Sequence, residues 1–150
     1  MLQKLNTRRA GFTLVEIMIV VAIIALLAAI AVPNFLRSRK RSQATAILED
    51  LRLIDSAMDQ YSLETNRAAG TGFACHWDDI QRYLKTDSRA YASGGNDILG
   101  NPFGGNDRTN PGSGNVGLFY VDGDVLFSAT SYNALSDVAP ASFWSPFRSY

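Results

Sequence analysis

The sequence predicts an α+β protein in which a long N-terminal α-helix packs on a small C-terminal head. Residues 17–32 are apolar without interruption, and the hydrophobic pattern further along repeats at helical spacing. Two short β-type segments near residue 120 flank an Asp-Gly dipeptide, which indicates an antiparallel hairpin. The 150 residues divide into a leader (1–11), an apolar helix (12–36), its amphipathic continuation (37–66) and a globular head (67–150).

The composition argues against several kinds of function. Acidic and basic side chains balance at 14 each, so no bulk basic surface for nucleic acid is expected. One cysteine and one histidine exclude an intrachain disulfide and a multi-cysteine metal centre. The sequence holds no phosphate loop, serine-hydrolase elbow or zinc-protease helix. We therefore expect no enzyme, no cofactor and no metal.

The apolar segment is long enough to cross a membrane. No charge lies between Glu16 and Arg37, and residues 17–36 as a helix cover roughly 30 Å, the thickness of the bilayer hydrocarbon. Charge does not orient it, because the leader's three basic side chains and amino terminus are balanced by four basic residues beyond it. Those four are Arg37, Arg39, Lys40 and Arg41.

Two ordinary explanations fit such an N-terminus. The first is a secretory signal peptide that is cut after the small-residue tripeptide 29–31, although a signal peptide has no use for Glu16. The second is an uncleaved signal anchor. In that case Thr13 and Glu16 form a capping box, in which each side chain accepts a hydrogen bond from the other residue's amide.

A more specific signal is the string RRAGFTLVEIM at residues 8–18, followed by the apolar run and VPNF at 32–35. It resembles the N-terminus of the type IV pilin and type II secretion pseudopilin family. The resemblance implies a pilin fold and cleavage by prepilin peptidase between Gly11 and Phe12, with methylation of the new Phe12 amine. It also implies a single-pass inner-membrane protein with a cytoplasmic N-terminus and a periplasmic head.

The chemistry of this segment makes Phe12 and Glu16 the candidate assembly residues. A carboxylate in an apolar setting costs on the order of 2.5–3.5 kcal/mol unless a partner compensates it. Cleavage creates an ammonium at Phe12, which can neutralise Glu16 of a neighbouring subunit where water is excluded. A capping role for Glu16 is compatible with this pairing.

Beyond the apolar segment the helix becomes amphipathic. Apolar residues recur at steps of four and three and form one face: Ile47, Leu51, Ile54, Met58 and Tyr61. The opposite positions carry charges that we interpret as a solvated face: Glu49, Asp50, Arg52, Asp55 and Asp59. Pro33 removes a helical hydrogen bond, so we expect a kink or local melting near residues 29–34. The helix should end near residues 65–66.

The head contains weaker local signals. Helical spacing predicts a short helix over residues 76–84. Asp122-Gly123 predicts a hairpin of residues 116–121 and 124–129, with Tyr120 facing Val125 and Leu118 facing Phe127. The aromatic tail 143–147 is expected to close the core or to form a subunit contact.

A second resemblance lies in the head. The segment DILGNPF at residues 97–103 is similar to one in type II secretion major pseudopilins, and the chain lacks the cysteine pair of many type IV pilins. The resemblance favours the major pseudopilin of a type II secretion system. A type IV pilin for adhesion, motility or DNA uptake is the near alternative. A signal-anchored binding protein that never polymerises is the alternative from another class.

The same resemblance implies the partners. They are further copies of the chain in a helical filament, minor pilins or pseudopilins, prepilin peptidase and an inner-membrane assembly platform. The filament would stand in the periplasm or at the cell surface. Nucleic acid is expected as a partner only of a DNA-uptake pilin.

Two candidates for other chemistry are weak. Major pseudopilins often hold calcium, and the available carboxylates are Asp122, Asp124 and Asp137, but calcium needs six to eight oxygens and turn chemistry explains the first two. Cys75 and His76 are adjacent, but no third orienting group stands at a recognisable spacing. We expect neither a metal nor catalysis from these residues.

Overall fold

The computed structural model describes residues 11–66, 74–104, 118–120 and 126–149. By their contacts the residues form two units, which meet in sequence between Ser38 and Arg39. One helix, α1 (Leu14–Thr65), contributes to both units. The long N-terminal helix and the small head of short helices and strands confirm the predicted α+β class and are consistent with the pilin fold.

In the first unit, the described residues form the beginning of α1. Every side chain from residue 11 to residue 38 is exposed. Pro33 lies in this stretch, and the backbone remains helical through residues 29–34. A bend at Pro33 stays a prediction.

In the second unit, α1 contributes the centre of a hydrophobic core. The five residues of the predicted apolar face are all buried, at 8% exposure or less: Ile47, Leu51, Ile54, Met58 and Tyr61. The helix ends at Thr65, as predicted, and the following Asn66 has a φ of 53°. Asparagine tolerates this left-handed conformation better than most residues, which makes it a suitable residue to end a helix.

The other elements of the second unit are short. They are β1 (Ala74–His76), α2 (Trp77–Ile80), a 3-10 turn (Gln81–Tyr83), α3 (Arg89–Ala92), β2 (Leu118–Tyr120), β3 (Leu126–Phe127), α4 (Ala129–Leu135), α5 (Ala141–Trp144) and β4 (Arg148–Ser149). α2 and the turn after it confirm the helix predicted over residues 76–84. β1 pairs with β2 antiparallel, and β3 pairs with β4 parallel.

The predicted partnership of Leu118 with Phe127 is wrong. In the described part of the head, Leu118 lies opposite His76, and Phe127 lies opposite Ser149 and also bridges Phe103. The turn at residues 122–123 and Val125 are outside the described residues. The pairing differs because register depends on which distant segments offer an edge, and a local turn signal carries no information about them.

The aromatic tail closes the core of this unit, as one of the two predicted alternatives states. Trp144 is 1% exposed, and its ring centroid lies 4.6 Å from that of Phe127. Its indole Nε1 donates a hydrogen bond to the Ala139 carbonyl at 3.2 Å. Phe147 is also buried. A buried tryptophan needs such a partner for its N–H, so α5 is fixed in position as well as packed.

Candidate functional site

The beginning of α1 is built by a reciprocal pair of side chains. The backbone N–H and the hydroxyl of Thr13 both donate to Glu16 Oε2, each at 2.8 Å. The Glu16 amide donates back to Thr13 Oγ1 at 3.2 Å. This is the predicted capping box, and it satisfies amide groups that the first turn of a helix otherwise leaves unpaired.

Gly11 and Phe12 precede this cap. Phe12 is 83% exposed. A Cβ built on Gly11 meets no atom within 4 Å among the described residues, so packing does not require glycine at this position. If glycine is required at this position, the requirement comes from a binding partner or a processing step and not from packing within the described residues.

The apolar helix that follows is uncovered. Its large side chains are at least half exposed throughout residues 12–36, from Phe12 to Leu36. The mean hydropathy of its most apolar window is 3.0, and by length and composition it can span a membrane. An exposed apolar surface of this extent needs lipid or other protein to cover it. Glu16 is the only charged side chain within residues 12–36.

The second unit contains a buried ion pair that sequence reasoning missed. Asp50, which we predicted to be on a solvated face, is 3% exposed. Arg89 from α3 donates to Asp50 Oδ2 through Nε, at 3.0 Å, and through Nη2, which also donates to the Ala46 carbonyl. Burial raises the pKa of the Asp50 carboxyl, and the hydrogen bond and charge of Arg89 oppose that rise.

The spacing of α1 contained the signal for this burial. Asp50 lies three residues after Ile47 and four before Ile54, so it shares the apolar face with them. A carboxylate on that face requires a cation from another element. Arg89 is 39 residues away, and nothing in the local sequence identifies it as the partner.

The segment at residues 97–103 forms a loop around a buried carboxylate. Asp97 is 5% exposed, and its Oδ1 accepts from the amides of Leu99 and Asn101 at 2.8 and 2.9 Å. The buried Ser131 hydroxyl of α4 donates to Asp97 Oδ2 and accepts from Asn101 Nδ2. This loop therefore connects directly to α4, and its Asp and Asn have structural tasks.

The structure describes only one of the three carboxylates that were considered for calcium. Asp137 accepts a hydrogen bond from Lys40 Nζ at 2.9 Å, whereas Asp122 and Asp124 are outside the described residues. No group of three potential metal ligands of the His, Cys, Asp or Glu type occurs within the described ranges.

Cys75 is fully buried, and burial, with a smaller contribution from Asp79, raises the pKa of its thiol to about 11. The thiolate is the nucleophilic form, so the burial and the raised pKa both disfavour reaction of Cys75 near neutral pH. The adjacent His76 is exposed.

The described residues therefore include a capped helix start, an uncovered apolar helix long enough to span a membrane, and a small α+β head. Comparison with known proteins agrees. Residues 6–32 match the family described as "Prokaryotic N-terminal methylation motif". The chain therefore carries the prepilin motif, and it is homologous to the core protein G of type II secretion systems, the major pseudopilin, and to type IV pilins.

Three relatives illustrate the homology. The Type II secretion system core protein G of Aeromonas hydrophila is 29% identical over 102 residues, covering 64% of this chain and 71% of the relative. The Type IV major pilin protein PilA of Myxococcus xanthus is 44% identical over 64 residues, or 43% of this chain and 29% of the relative. The Type II secretion system core protein G of Pectobacterium carotovorum is 38% identical over 64 residues, covering 43% of this chain and 41% of the relative. No solved structure matches the chain.

Proposed function

We propose that the chain is a subunit of a pilus-like filament, and that this filament belongs to a type II protein secretion system, with the chain as its major pseudopilin. The observation that carries the proposal is the start of α1, where Glu16 supplies the only charge within the uncovered apolar residues 12–36. The work of such a subunit is assembly, and it is not an enzyme.

In this proposal prepilin peptidase cuts between Gly11 and Phe12, and the new Phe12 amine is methylated. The cut removes three basic side chains and creates one ammonium at Phe12, two residues before α1 begins. As apolar helices of neighbouring subunits pack together, that ammonium pairs with Glu16 of the next subunit. Each apolar helix carries one ammonium and one carboxylate. Any axial offset between neighbouring helices that separates an ammonium from a carboxylate is therefore penalised.

The membrane arrangement follows from the same steps. The precursor spans the inner membrane once, with the leader in the cytoplasm and the head in the periplasm. Its partners are other copies of the chain, minor pilins or pseudopilins, prepilin peptidase and an inner-membrane assembly platform. No nucleic-acid partner is expected of a pseudopilin.

The extent of the homology favours the pseudopilin over the pilin. The match to core protein G of A. hydrophila covers 102 residues, more than the leader and α1 together contain, so it extends into the head. The match to PilA is stronger per residue but covers 64 residues. A type IV pilin remains the second candidate on that account. A fibre outside the cell identifies a pilin, whereas loss of secreted enzymes on deletion identifies a pseudopilin.

Processing is tested by the intact mass and N-terminal sequence of the protein from its host's membrane. The expected species has 139 residues and begins at a methylated Phe12. Gly11→Ala should block the cut without disturbing the described fold, because a Cβ there meets open space. A product that begins at Val32 would identify a secreted domain, and one that retains Met1 would identify a signal anchor.

Assembly is tested by Glu16→Ala, with Glu49→Ala as the matched control. Both residues are exposed glutamates on α1, but Glu49 lies in the second unit, beyond the apolar segment. Glu16→Ala should keep membrane insertion and lose fibres, whereas Glu49→Ala should retain them. Normal fibres from the Glu16 variant would contradict the pairing and favour an anchored protein that does not polymerise.

A further inference from the structure

Three consecutive basic residues follow closely on the apolar segment of α1: Arg39, Lys40 and Arg41, here called the basic collar. Arg39 and Arg41 are exposed, and neither forms an ion pair in the part of the chain that the structure describes. Lys40 differs, because its Nζ donates to both carboxylate oxygens of Asp137 at 2.9 and 3.0 Å. Within the basic collar, the two arginines are therefore the cations available to a partner, and Arg37 just before it is a further exposed arginine without an ion pair among the described residues.

The position of the two arginines suits the headgroup layer of a bilayer. At about 1.5 Å per residue along a helix, Arg39 and Arg41 lie about 4.5 and 7.5 Å beyond Leu36, the last residue of the apolar run. The headgroup region on each side of the hydrocarbon is about 5–7 Å thick. Two positions along a helix correspond to a rotation of about 200°, so the arginines point to opposite sides of α1.

The arginines do not serve membrane insertion in the orientation proposed above, where they lie on the side away from the cytoplasm. Basic residues favour the cytoplasmic side, so this cluster works against that orientation. We propose that Arg39 and Arg41 bind the phosphates of anionic phospholipids in the leaflet opposite the leader. The guanidinium group suits this ligand, because its planar fork donates two parallel hydrogen bonds to phosphate oxygens.

Lys40 complements this site without joining it. Its bond to Asp137 links the residues that follow α4 to α1 within the collar. The inserted subunit is thereby bound to lipid through the arginines and to its own head through the lysine. The inference rests on the proposed function only for the orientation of the chain.

The test uses the full chain in vesicles of phosphatidylcholine and phosphatidylglycerol in equal parts. Spin-labelled versions of each lipid report which one is motionally restricted beside the protein. We expect the chain to prefer phosphatidylglycerol by about threefold, and the double variant Arg39→Gln/Arg41→Gln to lose at least half of that preference. The matched control is Arg52→Gln, an exposed arginine further along the same helix.

Several results would overturn the inference. One is an unchanged lipid preference in the double variant, and another is an equal loss in the Arg52 variant. Displacement by inorganic phosphate at constant ionic strength would identify a free anion, not lipid, as the ligand. Loss of fibres with full lipid preference would assign the arginines to a contact with a second copy. Glu16→Ala should leave lipid preference unchanged, so fibres from that variant would refute the proposed function alone.

Discussion

Replacement of Arg89 by methionine tests the buried ion pair of the second unit. Methionine keeps much of the length and apolar stem of arginine but removes its charge and donors. Asp50 would then remain at 5% side-chain exposure without its cation, and the Ala46 carbonyl would lose a donor. Such a change costs far more than the loss of an ion pair at the surface.

The expected loss of stability is about 2–3 kcal/mol. Removing one partner of a fully buried pair costs about 3–5 kcal/mol. The Arg89 side chain is 35% exposed, so solvent screens part of its interaction and reduces the loss to the lower end of that range or just below it. A double variant, Asp50→Leu/Arg89→Met, should recover most of the loss, since it leaves no buried charge.

The loss should grow as pH rises. Burial already raises the pKa of Asp50 above its ordinary value of 3.8, so the folded state binds that proton more tightly than the unfolded state. The Asp50 carboxyl therefore favours folding most at a pH below its pKa in the unfolded chain. That contribution to the free energy of unfolding is lost as pH rises through its pKa in the folded chain. Without Arg89 the folded pKa rises further. Arg89→Met should therefore cost less near pH 4 than at pH 7.

The assay is urea unfolding of the full chain in detergent, followed by the fluorescence of Trp77 and the buried Trp144. Arg52→Met is the control, because Arg52 is exposed and has no ion pair among the described residues. It should change stability by less than about 0.5 kcal/mol. An Arg89 variant as stable as this control, or a double variant no better than Arg89→Met, would refute the account of the pair.

Three further predictions concern the second unit. Gly95→Ala should lower the free energy of unfolding by about 2–4 kcal/mol, because the φ of Gly95 is 85° and a Cβ would lie 2.9 Å from the Trp77 ring. Gly94→Ala is the control, because a Cβ there meets open space, and it should cost about 1 kcal/mol. Equal losses from the two variants would contradict this prediction. Asp97→Ala should cost about 2–4 kcal/mol in the same unfolding assay, because the amides of Leu99 and Asn101 and the Ser131 hydroxyl lose their acceptor. Asp87 is exposed, so Asp87→Ala should change stability little. Cys75 should react with a thiol reagent at pH 8 at least about 100-fold more slowly in the folded chain than in urea, and equal rates would show that the thiol is accessible.

The features of this fold that sequence reasoning predicted well are local ones. The capping box at Thr13 and Glu16 spans three residues, and the apolar face of α1 repeats within a few turns. Both depend on helical geometry alone, which puts residues three and four apart on one face. The end of α1 at Thr65 is also a local matter, because Asn66 suits the left-handed conformation that follows.

The features that sequence reasoning missed depend on distant partners. Asp50 and Arg89 are 39 residues apart, and Asp97 and Ser131 are 34 apart. Local pattern shows that a carboxylate at position 50 is on the buried face, but it does not identify the residue that compensates its charge. Strand pairing fails for the same reason, since β2 pairs with β1 across more than 40 residues.

The cap and the assembly role of Glu16 use different properties of one side chain. The cap needs an oxygen, and Oε2 accepts from the amide and hydroxyl of Thr13, a residue that remains after a cut at Phe12. The pairing needs the negative charge, which hydrogen bonds leave in place. Glu16→Gln keeps an acceptor for Thr13 and removes the charge, whereas Thr13→Ala weakens the cap by about 1 kcal/mol and keeps the charge. Fibres should therefore survive the threonine change and disappear with the glutamine. The opposite result would mean that Glu16 only begins the helix.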